Sequence, residues 1–135
     1  MSKDKMRGIN ITPYMLHGNK TWQLEVVNSG KKGGPGNYPS VDVPAKFGGN
    51  FKITIVDGDG ITFSNDPIWV QAGTAKPTEP VIDPQITKIK GKNTPVLTFH
   101  DANSGPAMTL TYQLNFNNAD PLDPIILNGG GGGAH

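Results

Sequence analysis

MTLTYQLNF, residues 108–116, alternates apolar and polar side chains without a break, Met108, Leu110, Tyr112, Leu114 and Phe116 against Thr109, Thr111, Gln113 and Asn115. Successive side chains of a strand point to opposite faces, so a period of two predicts an extended segment with one face in a core and the other in solvent. The same pattern recurs upstream. TWQLEVVN at 21–28 sets Trp22, Leu24 and Val26 against Gln23 and Glu25, and FKITIVD at 51–57 sets Phe51, Ile53 and Ile55 against Lys52 and Thr54. Shorter strand runs are RGINIT (7–12), GITFS (60–64), PIWVQ (67–71), ITKIKG (86–91), PVLTFH (95–100) and PIILN (124–128). No helix of respectable length survives this reading.

Turn chemistry separates the runs. DGDG at 57–60 supplies the positive φ of a tight primed turn and predicts a hairpin, and HDANSGPAM at 100–108 does a similar job with a longer loop. Many short strands with no helix to cover a parallel sheet predict an all-β fold, an antiparallel β-sandwich of immunoglobulin-like or related Greek key type. The sequence divides into one sandwich domain over 1–128 and a flexible glycine-rich tail over 129–135. Within the domain, 30–50 reads as a long irregular loop, beyond the about 12–15 residues of ordinary connections.

The chain has 135 residues, enough for one domain with a real core. Its 12 lysines and arginines nearly balance 11 acids, so no field exists to steer nucleic acid or anionic lipid. With no cysteine, disulfides, thiol catalysis and cysteine-ligated zinc are excluded. No apolar stretch approaches the roughly 20 residues of a membrane span, nor does the start resemble a signal peptide, so a cytoplasmic protein is expected. No phosphate loop or nucleophile elbow is present, His17, His100 and His135 are scattered, and no cofactor or metal is implied.

Asp-Pro pairs stand out: Asp66-Pro67, Asp83-Pro84, Asp120-Pro121 and Asp123-Pro124, with Glu79-Pro80 as a fifth acid–proline pair. Proline removes a backbone donor and drives the preceding residue toward extended geometry, so these pairs are expected to introduce edge strands. In DPIWVQAGTAKPTEP (66–80), Asp66-Pro67 followed by Glu79-Pro80 resembles the feature that names the DP-EP family of small bacterial proteins. The resemblance implies a β-sandwich and no particular reaction.

Three chemistries compete with a plain binding or structural role. IVDGDGITF is similar to the strand-then-Asp turn of aspartic peptidases, which share one proton between two carboxylates about 3 Å apart. That pattern requires Thr or Ser after the Asp, and here Gly58 follows Asp57 and Asp59 follows Gly58. A peptidase of this type would draw its pair from Asp57, Asp59, Asp101, Asp120 or Asp123, within one chain or across a dimer axis. A self-processing variant would use the closing segment, where Asp120-Pro121 and Asp123-Pro124 offer acid-labile bonds and Asn118 can cyclise onto the chain. A calcium-dependent carbohydrate-binding module would take oxygen ligands from Asp57, Asp59, Asp101 and Asn103. Trp22 and Trp69 both lie in strand patterns and are expected in the core, with sugar stacking as the alternative role; Tyr14 and Tyr38 are loop candidates for such a platform. The leading expectation is a small binding or structural module that self-associates as a homodimer through exposed strand edges.

Overall fold

The structure, a computed structural model, describes residues 5–16, 19–27, 31–32, 41–43, 48–104, 106–122 and 125–128. Every regular element among them is a strand: β1 (Lys5–Leu16), β2 (Asn19–Val26), β3 (Lys31–Lys32), β4 (Val41–Val43), β5 (Gly49–Ile55), β6 (Thr62–Ala72), β7 (Ile86–Lys90), β8 (Val96–Asp101), β9 (Met108–Asn117) and β10 (Ile125–Asn128). They form two sheets, ordered β3-β2-β1-β5-β8-β7 and β4-β10-β9-β6. The alternation expected at 51–55 and 108–116 holds. Phe51, Ile53 and Ile55 of the larger sheet and Leu110, Tyr112 and Leu114 of the smaller one are buried in a common apolar core.

Aromatic pairs mark both ends of that core. Phe51 and Phe99, opposite each other on β5 and β8, stack with centroids 4.8 Å apart, and Phe99 meets Tyr112 of the other sheet edge-on at 6.4 Å. Toward the other end Trp22 stacks on Phe116 at 4.4 Å, and Phe116 leans on Phe63 at 5.3 Å. Such contacts join the sheets and contribute about 0.5–1.5 kcal/mol each beyond area burial.

Four details depart from the sequence expectation. DGDG does not close a hairpin: β5 belongs to the six-stranded sheet and β6 to the four-stranded one, so residues 57–60 carry the chain across the sandwich. Asp57 and Asp59 hold the left-handed φ values of 54° and 47° that the Asp-Gly signal called for, but they serve an arch between layers. HDANSGPAM likewise links β8 to β9 across the layers. Second, the sheets are antiparallel except where β1 runs parallel to β5 and β4 parallel to β10. Third, GITFS and PIWVQ form one strand, β6, with a register shift between Phe63 and Ile68. Asp66-Pro67 sits inside that shift and not at a strand start, as proline's missing N–H requires of an interrupted ladder. Asp83-Pro84 does introduce a strand: Gln85 N–H donates to Asp83 Oδ1 at 3.0 Å and Ile86 N–H to the Asp83 carbonyl at 2.9 Å, turning the chain into β7. Fourth, the stretch 30–50 contains β3 and β4, and β4 pairs with β10.

From β5 onward the chain crosses between layers three times, with β5, β7 and β8 in one sheet and β6, β9 and β10 in the other. The sandwich has two outward faces over these strands, that of β6–β9 and that of β5–β8–β7.

Candidate functional site

In the second half of β6 Pro67, Ile68 and Val70 are buried, while Trp69 and Gln71, alternating with Ile68 and Val70, emerge on the solvent side. Across the ladder Trp69 stands opposite Gln113 and Gln71 opposite Thr111. Leu110, Tyr112 and Leu114 of β9 face the core, which leaves Gln113 and Asn115, both half-buried, on the outer face beside Trp69; Thr111 shares that face but is itself buried. Trp22 is a core residue, 4% exposed, whereas Trp69 is only half-buried; core packing was the expectation for both, and the pleat overrules it for Trp69.

The β6 irregularity gives this tryptophan its partner. By displacing Asp66-Pro67 from the ladder, it lets the Asp66 carboxylate reach three residues along, where Trp69 Nε1–H donates to Oδ2 at 2.7 Å. Asn115 Nδ2 donates to the Asp66 carbonyl at 2.9 Å, and Gln113 Nε2 donates to Asn115 Oδ1 at 2.7 Å. Gln71 Nε2 donates to the Ala75 carbonyl at 3.2 Å and Thr111 Oγ1 to the Gly73 carbonyl at 2.7 Å. A charge-assisted bond of this length fixes the indole plane by its edge. With its one N–H engaged, the indole offers an arriving molecule its π surface, and the neighbouring amides offer hydrogen bonds without net charge.

The carboxylates singled out from the sequence lie elsewhere. Asp57 and Asp59 follow the last residues of β5, while Asp101 pairs with Gly49 at the first. Six residues at about 3.3 Å each separate Gly49 from Ile55, so roughly 20 Å of strand lies between Asp101 and the Asp57–Asp59 turn of the same chain. Asp120 is exposed at the Asp57 end, where its carbonyl accepts from Trp22 Nε1 at 3.2 Å. Asn118 is exposed with a left-handed φ of 66°, and Pro121 leads into Leu122, which exchanges backbone hydrogen bonds with Leu114 at 2.7 and 3.1 Å. Asp123, Pro124, His17, His135, Tyr38 and the glycine tail lie outside the described residues, as does the side chain of Tyr14. Asp57 and Asp59 on one hand, Asp101 and Asn103 on the other, are therefore not assembled into one calcium site. Among the described residues no group of three or more His, Asp or Glu is placed to hold a metal ion.

Asp101 does have an unusual setting. It is fully buried with Asn103, whose N–H donates to Asp101 Oδ1 at 3.0 Å in a tight local turn. Its negative charge, second to burial itself, pushes the Tyr112 phenol far above the ordinary value near 10. The Tyr112 hydroxyl is enclosed without a hydrogen-bond partner among the described residues.

No family model matches the chain, and no curated protein matches it either. No helix among the described residues is long and apolar enough to cross a membrane.

Proposed function

We propose that this protein is a recognition module, an immunoglobulin-like sandwich that binds a neutral, hydroxyl-rich ligand of the saccharide class on the outer face of β6 and β9. The observation that carries the reading is the clamped tryptophan: Trp69 on the solvent side, its edge held by Asp66 at 2.7 Å, in a row with Gln71, Gln113 and Asn115. Sugars combine apolar C–H faces, which pack on an indole, with hydroxyls that both donate and accept, which suits side-chain amides. The flat pleat of a β-ladder presents these groups along one line, as a chain of sugar rings would require. A DP-EP affiliation fits the same reading. Asp66-Pro67 orients Trp69, and Glu79-Pro80 leads into the segment whose Val81 carbonyl and Asp83 N–H bond Val70, next to that tryptophan.

Catalysis by a pair of Asp101 with Asp57 or Asp59 within one chain has less support, since Asp101 and the Asp57–Asp59 turn occupy opposite ends of β5. Homodimerisation through strand edges is the lesser part of this proposal. The β6 edge is covered by residues 81–83, and β7 carries a bulge and two lysines, devices that discourage strand addition. The test is a calorimetric titration of soluble oligosaccharides against wild type, Trp69→Ala and Asp66→Asn. Binding that weakens at least tenfold in Trp69→Ala and several-fold in Asp66→Asn, with Tm little changed, supports the assignment. Equal affinity in Trp69→Ala, or no binding across a glycan panel, overturns it.

A further inference from the structure

On the opposite sheet, the ITKIK run of β7 contains a second irregularity. Thr87 stands opposite His100 and Lys90 opposite Thr98, so three steps along β7 match two along β8 and one residue is surplus. Strict alternation from a buried Ile86 would send Lys88 and Lys90 toward the core and leave Ile89 in solvent. The bulge corrects the phase. Lys88 adopts a left-handed φ of 57°, Ile89 packs on the core, and Lys88 and Lys90 both stay exposed. Left-handed geometry is strained for a residue with a Cβ, a strain glycine would not incur. Bulges commonly re-aim side chains next to functional sites, and stored backbone strain clusters there.

The re-aimed lysines border an open depression of about 270 Å³ lined by Asn50, Lys88, Lys90, Thr98 and His100 together with Phe51 and Phe99. Lys52 is exposed on the same sheet face, opposite Thr98. No carboxylate is among the lining residues. Since the chain as a whole carries a net charge of only +1, this concentration of cations is local. His100 Nδ1 lies 2.9 Å from Asn50 Oδ1, and because that oxygen can only accept, Nδ1 carries the hydrogen. The contact orients both side chains and leaves the Asn50 amide group as a donor. Ammonium groups, an amide and a hydroxyl round an open hollow match the oxygens of a compact polyatomic anion.

We propose that the bulged end of β7, with Asn50, Lys88, Lys90, Thr98 and His100, is a binding site for a phosphate-type oxyanion. The lysines supply charge, Thr98 and Asn50 supply neutral hydrogen bonds, and the β7 bulge holds Lys88 on the same side as Lys90. The anion is either free inorganic phosphate or the head of a phosphomonoester, which present the same oxygens.

The experiment is a two-dimensional amide NMR titration at fixed ionic strength with inorganic phosphate and, separately, methyl phosphate, using chloride as the reference. Saturable shifts confined to Asn50, Lys88–Lys90 and Thr98–His100 are expected, weakened at least tenfold in Lys88→Gln/Lys90→Gln. Methyl phosphate binding as tightly as inorganic phosphate assigns the site to esters, and preference for inorganic phosphate assigns it to the free ion. Lys88→Gly separates function from fold: it relieves the left-handed strain, so Tm should rise while phosphate affinity falls several-fold. Non-saturable shifts spread equally over Lys20, Lys76 and Lys92, or unchanged affinity in the double variant, overturn the proposal.

Discussion

Replacing Tyr112 by Phe removes one oxygen from the buried interior of the sandwich and nothing else. That hydroxyl is enclosed, has no hydrogen-bond partner among the described residues, and lies close enough to Asp101 to feel its charge. Leaving a buried polar group unsatisfied costs about 1–3 kcal/mol, so at pH 7 Tyr112→Phe should be more stable than wild type by about 1 kcal/mol. With about 2.1 cal/mol/K of unfolding entropy per residue, that is a rise in Tm of about 3–4 °C. The ring keeps its edge-on contact with Phe99, so packing is unchanged. Alkaline pH amplifies the effect, and its sign is fixed. Folding raises the phenol's pKa, by burial first and by Asp101 second. The stability carried by its protonated form is therefore intact below the ordinary value near 10 and drains away as pH rises from there toward the folded value. At pH 11 the unfolded chain ionises this tyrosine and the folded chain does not, which costs wild type roughly 1 kcal/mol that the phenylalanine variant retains. Urea unfolding at pH 7, 10 and 11 should show the gap between the proteins widening from about 1 to about 2 kcal/mol. A variant less stable than wild type at pH 7, or a gap that does not change with pH, would refute the reasoning.

Two glycines separate steric from conformational cost. Gly91 has a φ of +120°, and an added Cβ would meet the Val96 carbonyl oxygen and lie 2.9 Å from Leu97 Cα, so Gly91→Ala should lose more than about 3 kcal/mol in urea denaturation. Gly73, at φ +104° with nothing within 4 Å of an added Cβ, should lose only about 1–2 kcal/mol on the same substitution. Trp22→Phe forfeits the bond to the Asp120 carbonyl and part of the stack on Phe116, and should cost about 2 kcal/mol by the same assay. Intact mass after weeks at mildly acidic pH should stay at 14.4 kDa, because the Asp120 carbonyl is tied to Trp22 and the next residues pair with Leu114; a fragment ending at Asp120 would instead establish processing.

Much of the layer structure was legible in the residues themselves. Alternation named the inward faces of β5 and β9 because a pleat leaves no other assignment for Phe51, Ile53, Leu110 and Leu114. It could not name neighbours. Nothing in RGINIT or FKITIVD distinguishes a parallel partner from an antiparallel one, and Asp-Gly geometry at 57–60 serves a hairpin and an interlayer arch equally. The outward position of Trp69 was legible once Ile68 and Val70 were assigned to the core, and its bulk alone argued for burial. Its bond to Asp66 was not legible, since it depends on a register shift that Pro67 signals without fixing its form. The spacing of Ile86 and Ile89, three apart in a run that otherwise reads as a strand, is the one local sign of the β7 bulge. Asp101 stands apart from the Asp57–Asp59 turn for a global reason: which end of the sandwich a turn occupies is set by strand direction, and sequence spacing does not encode it.

The most direct test of a saccharide-binding β6–β9 face is to follow the two tryptophans separately during a glycan titration. Trp22 is enclosed and Trp69 is not, so acrylamide quenching of the wild type should report chiefly Trp69. A bound oligosaccharide should protect that fluorescence and shift it to shorter wavelength, and Trp69→Phe should abolish the response while Trp22→Phe retains it. A response that survives in Trp69→Phe, or quenching that a bound glycan leaves untouched, would contradict the account.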